Sequence, residues 1–137
     1  MNKTSGGYRK KGKLNMSNEL SLDAVFTADV VDRRIRTLKW WRDETRPPLD
    51  SWYRDYEAEY DRLVSFKREL GSDWKDSLTF IPDEQFQAFT YDLAKDIVSE
   101  GLESWPLSCI DWDRAEKELK SDYVSFEFRE ETYWYRP

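Results

Sequence analysis

The order of apolar and polar residues predicts a first helix near the start of the chain. Ser21 is a suitable N-cap, because a serine hydroxyl accepts a hydrogen bond from a free N–H group of the first turn. The apolar positions that follow recur at intervals of three and four residues, which places Val31, Ile35 and Leu38 on one face. We expect this helix to extend to about Glu44.

A second helix is predicted after the sequence Arg46-Pro47-Pro48, which ends the first one. It begins at Asp50 or Ser51 and ends before Gly71, because glycine readily adopts the backbone conformation that closes a helix. Its apolar stripe consists of Trp52, Tyr56, Tyr60, Leu63 and Leu70. Two helices joined by a short turn indicate an antiparallel helical hairpin, which we assign to residues 21–70.

Two further helices are predicted after a loop over residues 71–80. Pro82 suits the first position of a third helix, because proline lacks the N–H group that is free there in any case. That helix reaches about Glu100, and its buried stripe is Phe86, Phe89, Leu93 and Ile97. Asp111 is the predicted N-cap of a short fourth helix, whose inner face consists of Trp112, Ala115 and Leu119.

The final stretch changes from helical to alternating periodicity. Apolar side chains occupy every second position in two segments, which predicts a β-hairpin over residues 123–136 that turns near Glu130. The fold class is therefore α+β and helix-rich, with an N-terminal helical hairpin and a C-terminal unit of helices and a small antiparallel sheet. We expect a disordered basic tail over residues 1–16 and a single compact domain over 17–137, whose residues 81–137 form an acidic unit.

Charge is divided unevenly along the 137 residues. The chain has 22 Lys and Arg against 28 Asp and Glu, a formal net charge of -6. Residues 1–42 nevertheless hold ten basic and four acidic residues, whereas residues 43–137 hold twelve basic and twenty-four acidic residues. A polar, basic N-terminal stretch without an apolar run, and no long apolar segment elsewhere, lead us to expect a soluble cytoplasmic protein with no membrane partner.

The composition also excludes several kinds of chemistry. The chain has no histidine, which excludes Ser-His-Asp and Cys-His catalysis and most zinc sites. Its one cysteine, Cys109, follows a serine and precedes an isoleucine, and we interpret it as a small buried packing residue. Paired carboxylates remain as catalytic candidates, but no pair stands out among 28 acids. We therefore expect no enzyme activity, no cofactor and no metal site.

Acidic side chains form rows on the predicted third and fourth helices. Asp92, Asp96 and Glu100 recur every four residues, and each step advances about 6 Å along a helix. On the fourth helix Asp111, Glu118 and Asp122 fall on one side. Such rows favour solubility, and they also approximate the regular charge of duplex DNA. Both interpretations stand at this point.

Short motifs in the same region resemble the end of ArdA-type antirestriction proteins. They are Phe86-x-x-Phe89-x-x-x-Leu93-x-x-Asp96, Ile110-Asp111-Trp112, Lys117-Glu118-Leu119, Asp122-Tyr123 and a terminal strand that contains Tyr133. The likeness covers only about the last 50 residues, and the basic first 42 residues have no counterpart that aligns.

The resemblance implies a phage- or plasmid-borne DNA mimic, a non-catalytic and usually dimeric inhibitor of type I restriction-modification enzymes. The host DNA-binding complex would then be the partner, and a second copy of the chain is a further candidate partner. The matching positions are Asp96, Asp111, Glu118 and Asp122. Helical geometry adds four further carboxylates to this partner-binding set, namely Asp92, Glu100, Asp113 and Glu116.

A second hypothesis assigns the function to the basic half. Aromatic rings can stack on bases while cations meet phosphates, so the chain would be a small accessory protein that binds nucleic acid directly. It would act through the basic tail over residues 1–16 and through a face of the first helix, where we expect Trp40 to be exposed. The residues of this face are Arg33, Arg36, Lys39, Trp40 and Arg42.

Overall fold

The computed structural model describes residues 19–44, 51–98 and 101–137. Within them it contains four α-helices and a four-stranded antiparallel sheet, which confirms the helix-rich α+β class. The helices are α1 (Ala28–Glu44), α2 (Ser51–Leu70), α3 (Phe86–Ile97) and α4 (Trp112–Lys120). The strands are β1 (Phe26–Thr27), β2 (Thr79–Pro82), β3 (Val124–Phe128) and β4 (Glu131–Tyr135).

The sheet has the strand order β1-β2-β4-β3. β4 lies in the centre and pairs with β2 through Ile81 and Trp134, while β2 also pairs with β1 through Phe80 and Phe26. Because successive side chains of a strand point to opposite faces, Phe80 and Ile81 face opposite sides of the sheet. The two faces therefore carry separate aromatic clusters.

One face is covered by the helical hairpin, and Phe66 of α2 is the centre of its core. This side chain is 0% exposed, and its ring centroid lies within about 5.5 Å of five other rings. Most of these contacts are edge-to-face, the arrangement that aromatic rings favour in protein interiors. The five rings are Phe26, Phe80, Phe126, Phe128 and Tyr133. The core thus joins α2 to all four strands.

The opposite face is covered by α3 and α4. Trp134 of β4 points to this side, where its ring lies 5.9 Å from that of Phe86 on α3. The Phe86 ring also lies 5.3 Å from that of Tyr123, which immediately precedes β3. The described chain therefore has three layers: α1 with α2, the sheet, and α3 with α4.

The first helix begins later than predicted. Phe26 and Thr27 form β1 instead, and helix α1 starts at Ala28, whose N–H donates to the Leu78 carbonyl at 2.9 Å. Ser21 does use its hydroxyl as an acceptor, but from the N–H of Asp23 two residues away. Phe26 pairs with Phe80, which is 54 positions later in the sequence, and this strand pairing outweighs the local capping signal of Ser21.

Residues 71–80 are not a loop throughout, and the third helix is shorter than predicted. Residues Gly71–Asp73 form a 3₁₀ turn, and Phe80 lies in β2. Pro82 is the last residue of that strand, where it pairs with Tyr133, and a 3₁₀ turn separates it from α3. The helix ends at Ile97, which is 75% exposed and therefore does not continue the buried stripe.

Several local predictions are confirmed. Helix α2 spans Ser51–Leu70, and Gly71 has the positive φ of 77° that the C-terminal stop requires. Asp111 caps α4, and the C-terminal hairpin turns at Arg129 and Glu130. Among the described helices, none has the length and apolar character of a membrane span. The predicted tail over residues 1–16, the helix end at Arg46-Pro47-Pro48 and Glu100 lie outside the described residues.

Candidate interaction surface

Helices α3 and α4 lie side by side and run in opposite directions. Gln87, in the first turn of α3, donates from Nε2 to Asp113 Oδ1 at 2.8 Å and to Glu116 Oε1 at 3.1 Å on α4. One turn later the Tyr91 ring lies 5.1 Å from that of Trp112, at the start of α4. The two helices therefore present one continuous surface on the outer side of the sheet.

The sequence of α4 explains where it begins. Asp111 is extended, and its Oδ1 accepts a hydrogen bond from the backbone N–H of Arg114 at 3.2 Å. This satisfies one of the N–H groups that have no partner within the helix. Trp112, Ala115 and Leu119 are partly buried at helical spacing, as the predicted inner face requires.

Lys120, the last residue of α4, connects this helix to the sheet through Asp83 and Trp134. Its ammonium donates to Asp83 Oδ1 at 2.8 Å, pairs with Glu116 Oε2 at 2.8 Å and lies 4.9 Å from the Trp134 ring centroid. Trp134 Nε1 donates to the same oxygen of Asp83 at 2.9 Å. Hydrogen bonds from Lys120 and Trp134 lower the pKa of Asp83. Burial opposes the charge of Lys120, but its bonds to the two carboxylates raise the pKa of the amine.

The predicted carboxylates fall into two groups. The side chains of Asp92 and Asp96 of α3, and of Asp122 after α4, are exposed and form no hydrogen bond or ion pair with any other described residue. The remaining carboxylates of the described set have structural partners. Asp111 is a cap, Asp113 binds Gln87, Glu116 binds Lys120 and Gln87, and Glu118 binds Arg114 at 2.9 Å.

Helix α4 is less acidic than the sequence pattern indicated. Within Trp112–Lys120, three acidic residues are balanced by three basic ones. Helix α3 has two acids and one base, Lys95, whose ammonium lies 5.9 Å from the Tyr91 ring centroid. The free negative charge of this surface is therefore concentrated on Asp92 and Asp96, one helical turn apart, with Asp122 beyond the other helix.

Sequence reasoning missed two residues that hold this surface together and one exposed aromatic residue near it. Gln87 and the contacts of Lys120 with Asp83 and Trp134 had no distinguishing pattern, since these partners lie far away in the sequence. Trp105 is 80% exposed in the connection between α3 and α4, and no periodicity singled it out. Cys109 lies in the same connection and is exposed, so its interpretation as a buried packing residue was wrong. The short 3₁₀ turn at Leu107–Cys109 directs it outward.

The basic face of α1 is also smaller than predicted. Trp40 is 58% exposed, as expected, and the side chains of Arg36 and Lys39 are exposed with no hydrogen bond or ion pair to another described residue. Arg33 forms an exposed ion pair with Asp29 at 3.3 Å. Arg42 is directed towards α2, where its guanidinium lies 4.5 Å from the Tyr60 ring centroid. Arg36, Lys39 and Trp40 therefore remain as the available face.

A cavity of about 400 Å³ opens on the other side of the molecule, between the segment before β1 and the C-terminal hairpin. Acidic and basic groups alternate around it, and Arg62 donates across its wall to the Leu20 carbonyl at 2.9 Å. The burial of Tyr133 in this wall raises the pKa of its hydroxyl. No group of side chains in residues 19–44, 51–98 and 101–137 has the arrangement of a metal site.

We compared the chain with models of known protein families, with curated proteins and with solved structures, and found no significant match. The likeness to ArdA-type proteins therefore stays a prediction.

Proposed function

We propose that the chain is a non-catalytic inhibitor, encoded by a phage or another mobile element, whose acidic surface mimics DNA. It would act in the host cytoplasm by occupying the DNA-binding groove of a defence enzyme such as a restriction-modification complex. The observation that supports this proposal is the exposed pair Asp92 and Asp96, which has no side-chain partner within residues 19–44, 51–98 and 101–137 and lies on a helix that packs on α4 and the sheet.

Asp92 and Asp96 are suitable for recognition by a DNA-binding groove because their positions on the helix are fixed. An exposed charge on a long mobile side chain loses rotational freedom on binding, whereas short aspartates on an anchored helix lose less. Asp92 and Asp96 are about 6 Å apart along the helix axis. Asp113, which Gln87 orients from the neighbouring helix, is a third exposed carboxylate held at a defined position on α4. A groove lined with arginine and lysine would therefore meet charges in a defined arrangement.

The experiment is displacement of a fluorescent DNA duplex from a type I restriction-modification enzyme, followed by anisotropy. We expect the chain to displace the duplex, and Asp92→Asn with Asp96→Asn to weaken this by about tenfold or more, as for close charge pairs at interfaces. The control is Asp61→Asn with Glu69→Gln, two exposed acids of α2. Equal inhibition by both variants, or no displacement by the unmodified chain, would contradict the proposal.

A variant with more substitutions must keep the helix cap that Asp111 provides. Asparagine caps a helix about as well as aspartate, so Asp111→Asn removes charge and keeps the start of α4. Adding this change and Asp122→Asn to the pair on α3 should abolish displacement while the helical circular dichroism stays unchanged. Added salt should weaken inhibition, because screening acts on exposed charges.

A second function is supported by the exposed indole of Trp40 beside Arg36 and Lys39, two cations without a side-chain partner in the described part of the chain. In this alternative the chain binds single-stranded nucleic acid through Arg36, Lys39 and Trp40. A gel shift with labelled single strands and duplexes, without any enzyme, separates the two functions. The DNA mimic should retain neither probe, whereas the binder should retain the single strand and lose it as salt rises.

A further inference from the structure

The Tyr133 side chain is almost completely buried, yet its hydroxyl forms no hydrogen bond in the described part of the chain. The residue is 3% exposed, and its ring centroid lies 5.9 Å from that of Phe26 and 5.2 Å from that of Phe66. These contacts hold the ring, so the position of the hydroxyl is set before any binding. Because buried polar groups are normally hydrogen-bonded, this hydroxyl is a candidate for contact with a ligand.

The hydroxyl of Tyr133 can be reached from the cavity of about 400 Å³ that this residue lines. In residues 19–44, 51–98 and 101–137, Arg62 Nε is the one side-chain nitrogen or oxygen that is inaccessible to solvent and has no hydrogen-bond partner. The unpartnered oxygen of Tyr133 is therefore accessible. Burial raises its pKa, the carboxylates of Glu131 and Asp23 raise it further, and Arg62 opposes the increase. The hydroxyl thus faces charged groups that line the same cavity.

Three charged side chains of this cavity form no hydrogen bond or ion pair with another described residue. They are Asp23, Glu131 and Arg129. Arg62 differs from them, because its Nη2 donates to the Leu20 carbonyl at 2.9 Å and pairs with Glu19 at 3.1 Å. The cavity therefore offers two unpaired carboxylates and one unpaired guanidinium beside the hydroxyl.

The walls that carry these groups are held in place. The backbone N–H of Leu20 donates to Glu59 at 3.0 Å and its carbonyl accepts from Arg62, so the segment that contains Asp23 is attached to α2. On the other side, Arg129 has a positive φ of 51° in the hairpin turn, which strains a residue that has a side chain. Strained residues occur disproportionately at functional sites, and this supports a binding role for the arginine.

We propose that this cavity binds a free α-amino acid with an aliphatic side chain. Asp23 and Glu131 bind the ammonium group of the ligand, and Arg129 binds its carboxylate. The Tyr133 hydroxyl donates a further hydrogen bond to the ligand. Each unpaired polar group of the cavity then has a partner.

Charge and size both favour this class of ligand. A simple amine would leave Arg129 unpaired and a simple carboxylate would leave two carboxylates unpaired, although charges need partners where a ligand displaces water. Leu22 and Phe128 line the same cavity and are buried, so they offer apolar contact to an aliphatic side chain. A volume of about 400 Å³ also lies within the range of small-molecule sites.

The test is a nuclear magnetic resonance titration of the full chain with L-leucine and with two analogues that each lack one charge. 3-Methylbutan-1-amine lacks the carboxylate, and 4-methylpentanoate lacks the ammonium group. We expect leucine to shift the resonances of Asp23 and Tyr133 with a dissociation constant of about 1 mM or lower. Each analogue should bind at least about tenfold more weakly, because one set of charge contacts is lost.

Substitutions in the cavity should change these affinities selectively. Arg129→Gln should weaken leucine binding by at least about tenfold and leave binding of the amine unchanged. Asp23→Asn with Glu131→Gln should weaken binding of both leucine and the amine. Tyr133→Phe keeps the ring and removes only the hydroxyl, so it should weaken leucine binding about two- to tenfold.

The matched controls are Arg136→Gln and Glu84→Gln, two exposed charges that do not line the cavity. Both should bind leucine as the unmodified chain does. Three results would overturn the inference. They are no shift at the cavity residues with leucine up to about 10 mM, equal affinity for leucine and either analogue, or leucine binding that Arg129→Gln leaves unchanged.

Circular dichroism shows whether each variant is folded. If Tyr133→Phe failed to fold, the substitutions at Arg129, Asp23 and Glu131 would still test the site, because exposed changes usually cost little stability. A failure of duplex displacement from a restriction enzyme would leave these results unaffected. Tyr133 and Trp134 are successive residues of β4, so the cavity and the α3 surface lie on opposite faces of the sheet.

Discussion

Arg34 and Glu59 form a two-bond ion pair inside the helical layer. Arg34 Nε lies 2.7 Å from Glu59 Oε2, and Arg34 Nη2 lies 2.9 Å from Glu59 Oε1. Glu59 is only 1% exposed, and its Oε2 also accepts a hydrogen bond from the backbone N–H of Leu20 at 3.0 Å. The pair therefore connects α1, α2 and the segment before β1 at one buried carboxylate.

Removal of the cation alone should destabilise the fold strongly. In Arg34→Met the buried carboxylate of Glu59 loses its counter-charge, and breaking such a pair costs about 3–5 kcal/mol. Arg34→Met with Glu59→Met removes both charges and should be more stable than the single variant. Free energies of unfolding in urea measure both effects. Arg33→Met, at an exposed pair, should cost less than about 1 kcal/mol, and an equal loss at the two arginines would contradict this account.

Local signals in the sequence were sufficient for part of the fold. Helix α2 ends where predicted because the next residue is Gly71. Its φ is 77°, a backbone conformation that glycine adopts without strain. Helix α4 begins after Asp111 because its carboxylate bonds to the first turn. The alternation of Val124, Phe126 and Phe128 predicted β3, since one face of that strand packs on Phe66. In the first two cases the determining feature lies at the end of the helix itself, and in the third the alternation is visible within the strand.

The features that were not predicted from the sequence depend on contacts between residues that are far apart along the chain. Strand β1 has two residues and exists only because Phe26 and Thr27 pair with β2, more than fifty positions away. The contacts of Gln87 with α4 span 26 and 29 residues. One correction to the surface was available from the sequence: Arg114 with Glu118 and Glu116 with Lys120 are four residues apart, and that spacing indicates ion pairs along a helix.

Acid should weaken the attachment of α4 to the sheet. Hydrogen bonds from Lys120 and Trp134 hold the pKa of Asp83 below its ordinary value, so this carboxylate contributes stability that is present above about pH 4. The contribution is lost as pH falls through the lowered pKa of the folded state. We expect Asp83→Asn to lose less unfolding free energy than the unmodified chain between about pH 4 and pH 2. The effect is modest, because the Asp83 side chain is 52% exposed.

Urea unfolding at several pH values measures this difference. The control is Glu84→Gln, a change to the exposed neighbour of Asp83. Its pH dependence should parallel that of the unmodified chain. If Asp83→Asn and the unmodified chain also ran parallel in acid, the hydrogen bonds to Asp83 would not contribute to stability.

Alkali should act on the other side of the sheet, at Tyr135. Burial and the hydrogen bond that its hydroxyl donates to Asp73 Oδ2 at 2.9 Å raise the pKa of Tyr135 to about 12. The unfolded chain ionises near pH 10, so the stabilising contribution is complete below that value and is lost as pH rises towards 12. Tyr135→Phe should reduce the fall in unfolding free energy over this range.

In Tyr135→Phe the unfolding free energy should still fall somewhat in alkali, because burial raises the pKa of Tyr56 to about 12 as well. Ultraviolet absorbance of tyrosinate, recorded together with circular dichroism, separates ionisation from unfolding. We expect one delayed tyrosine fewer in Tyr135→Phe than in the unmodified chain. If the absorbance lost in Tyr135→Phe lay near pH 10 and not near pH 12, Tyr135 would ionise freely in the folded state.

Glu130 and Gly71 both have a positive φ, and substitutions at these two positions should change stability in opposite directions. Glu130 has φ of 71° in the hairpin turn, where relief of left-handed strain by glycine is worth about 1–2 kcal/mol and the added chain entropy costs about 0.5–1 kcal/mol. Glu130→Gly should therefore stabilise the fold by about 0.5–1 kcal/mol. Gly71→Ala should destabilise it by a similar amount, although a Cβ there meets no atom within 4 Å.

The open space around Gly71 makes this pair of variants informative. Any loss in Gly71→Ala comes from its φ of 77° and not from a steric clash with a neighbouring residue. Gly101 also has open space around its missing Cβ but has no positive φ, so Gly101→Ala is the matched control and should leave stability unchanged or slightly raised. Thermal and urea unfolding measure all three. Equal effects of the substitutions at Gly71 and Gly101 would show that the left-handed backbone at the end of α2 is not strained by a side chain.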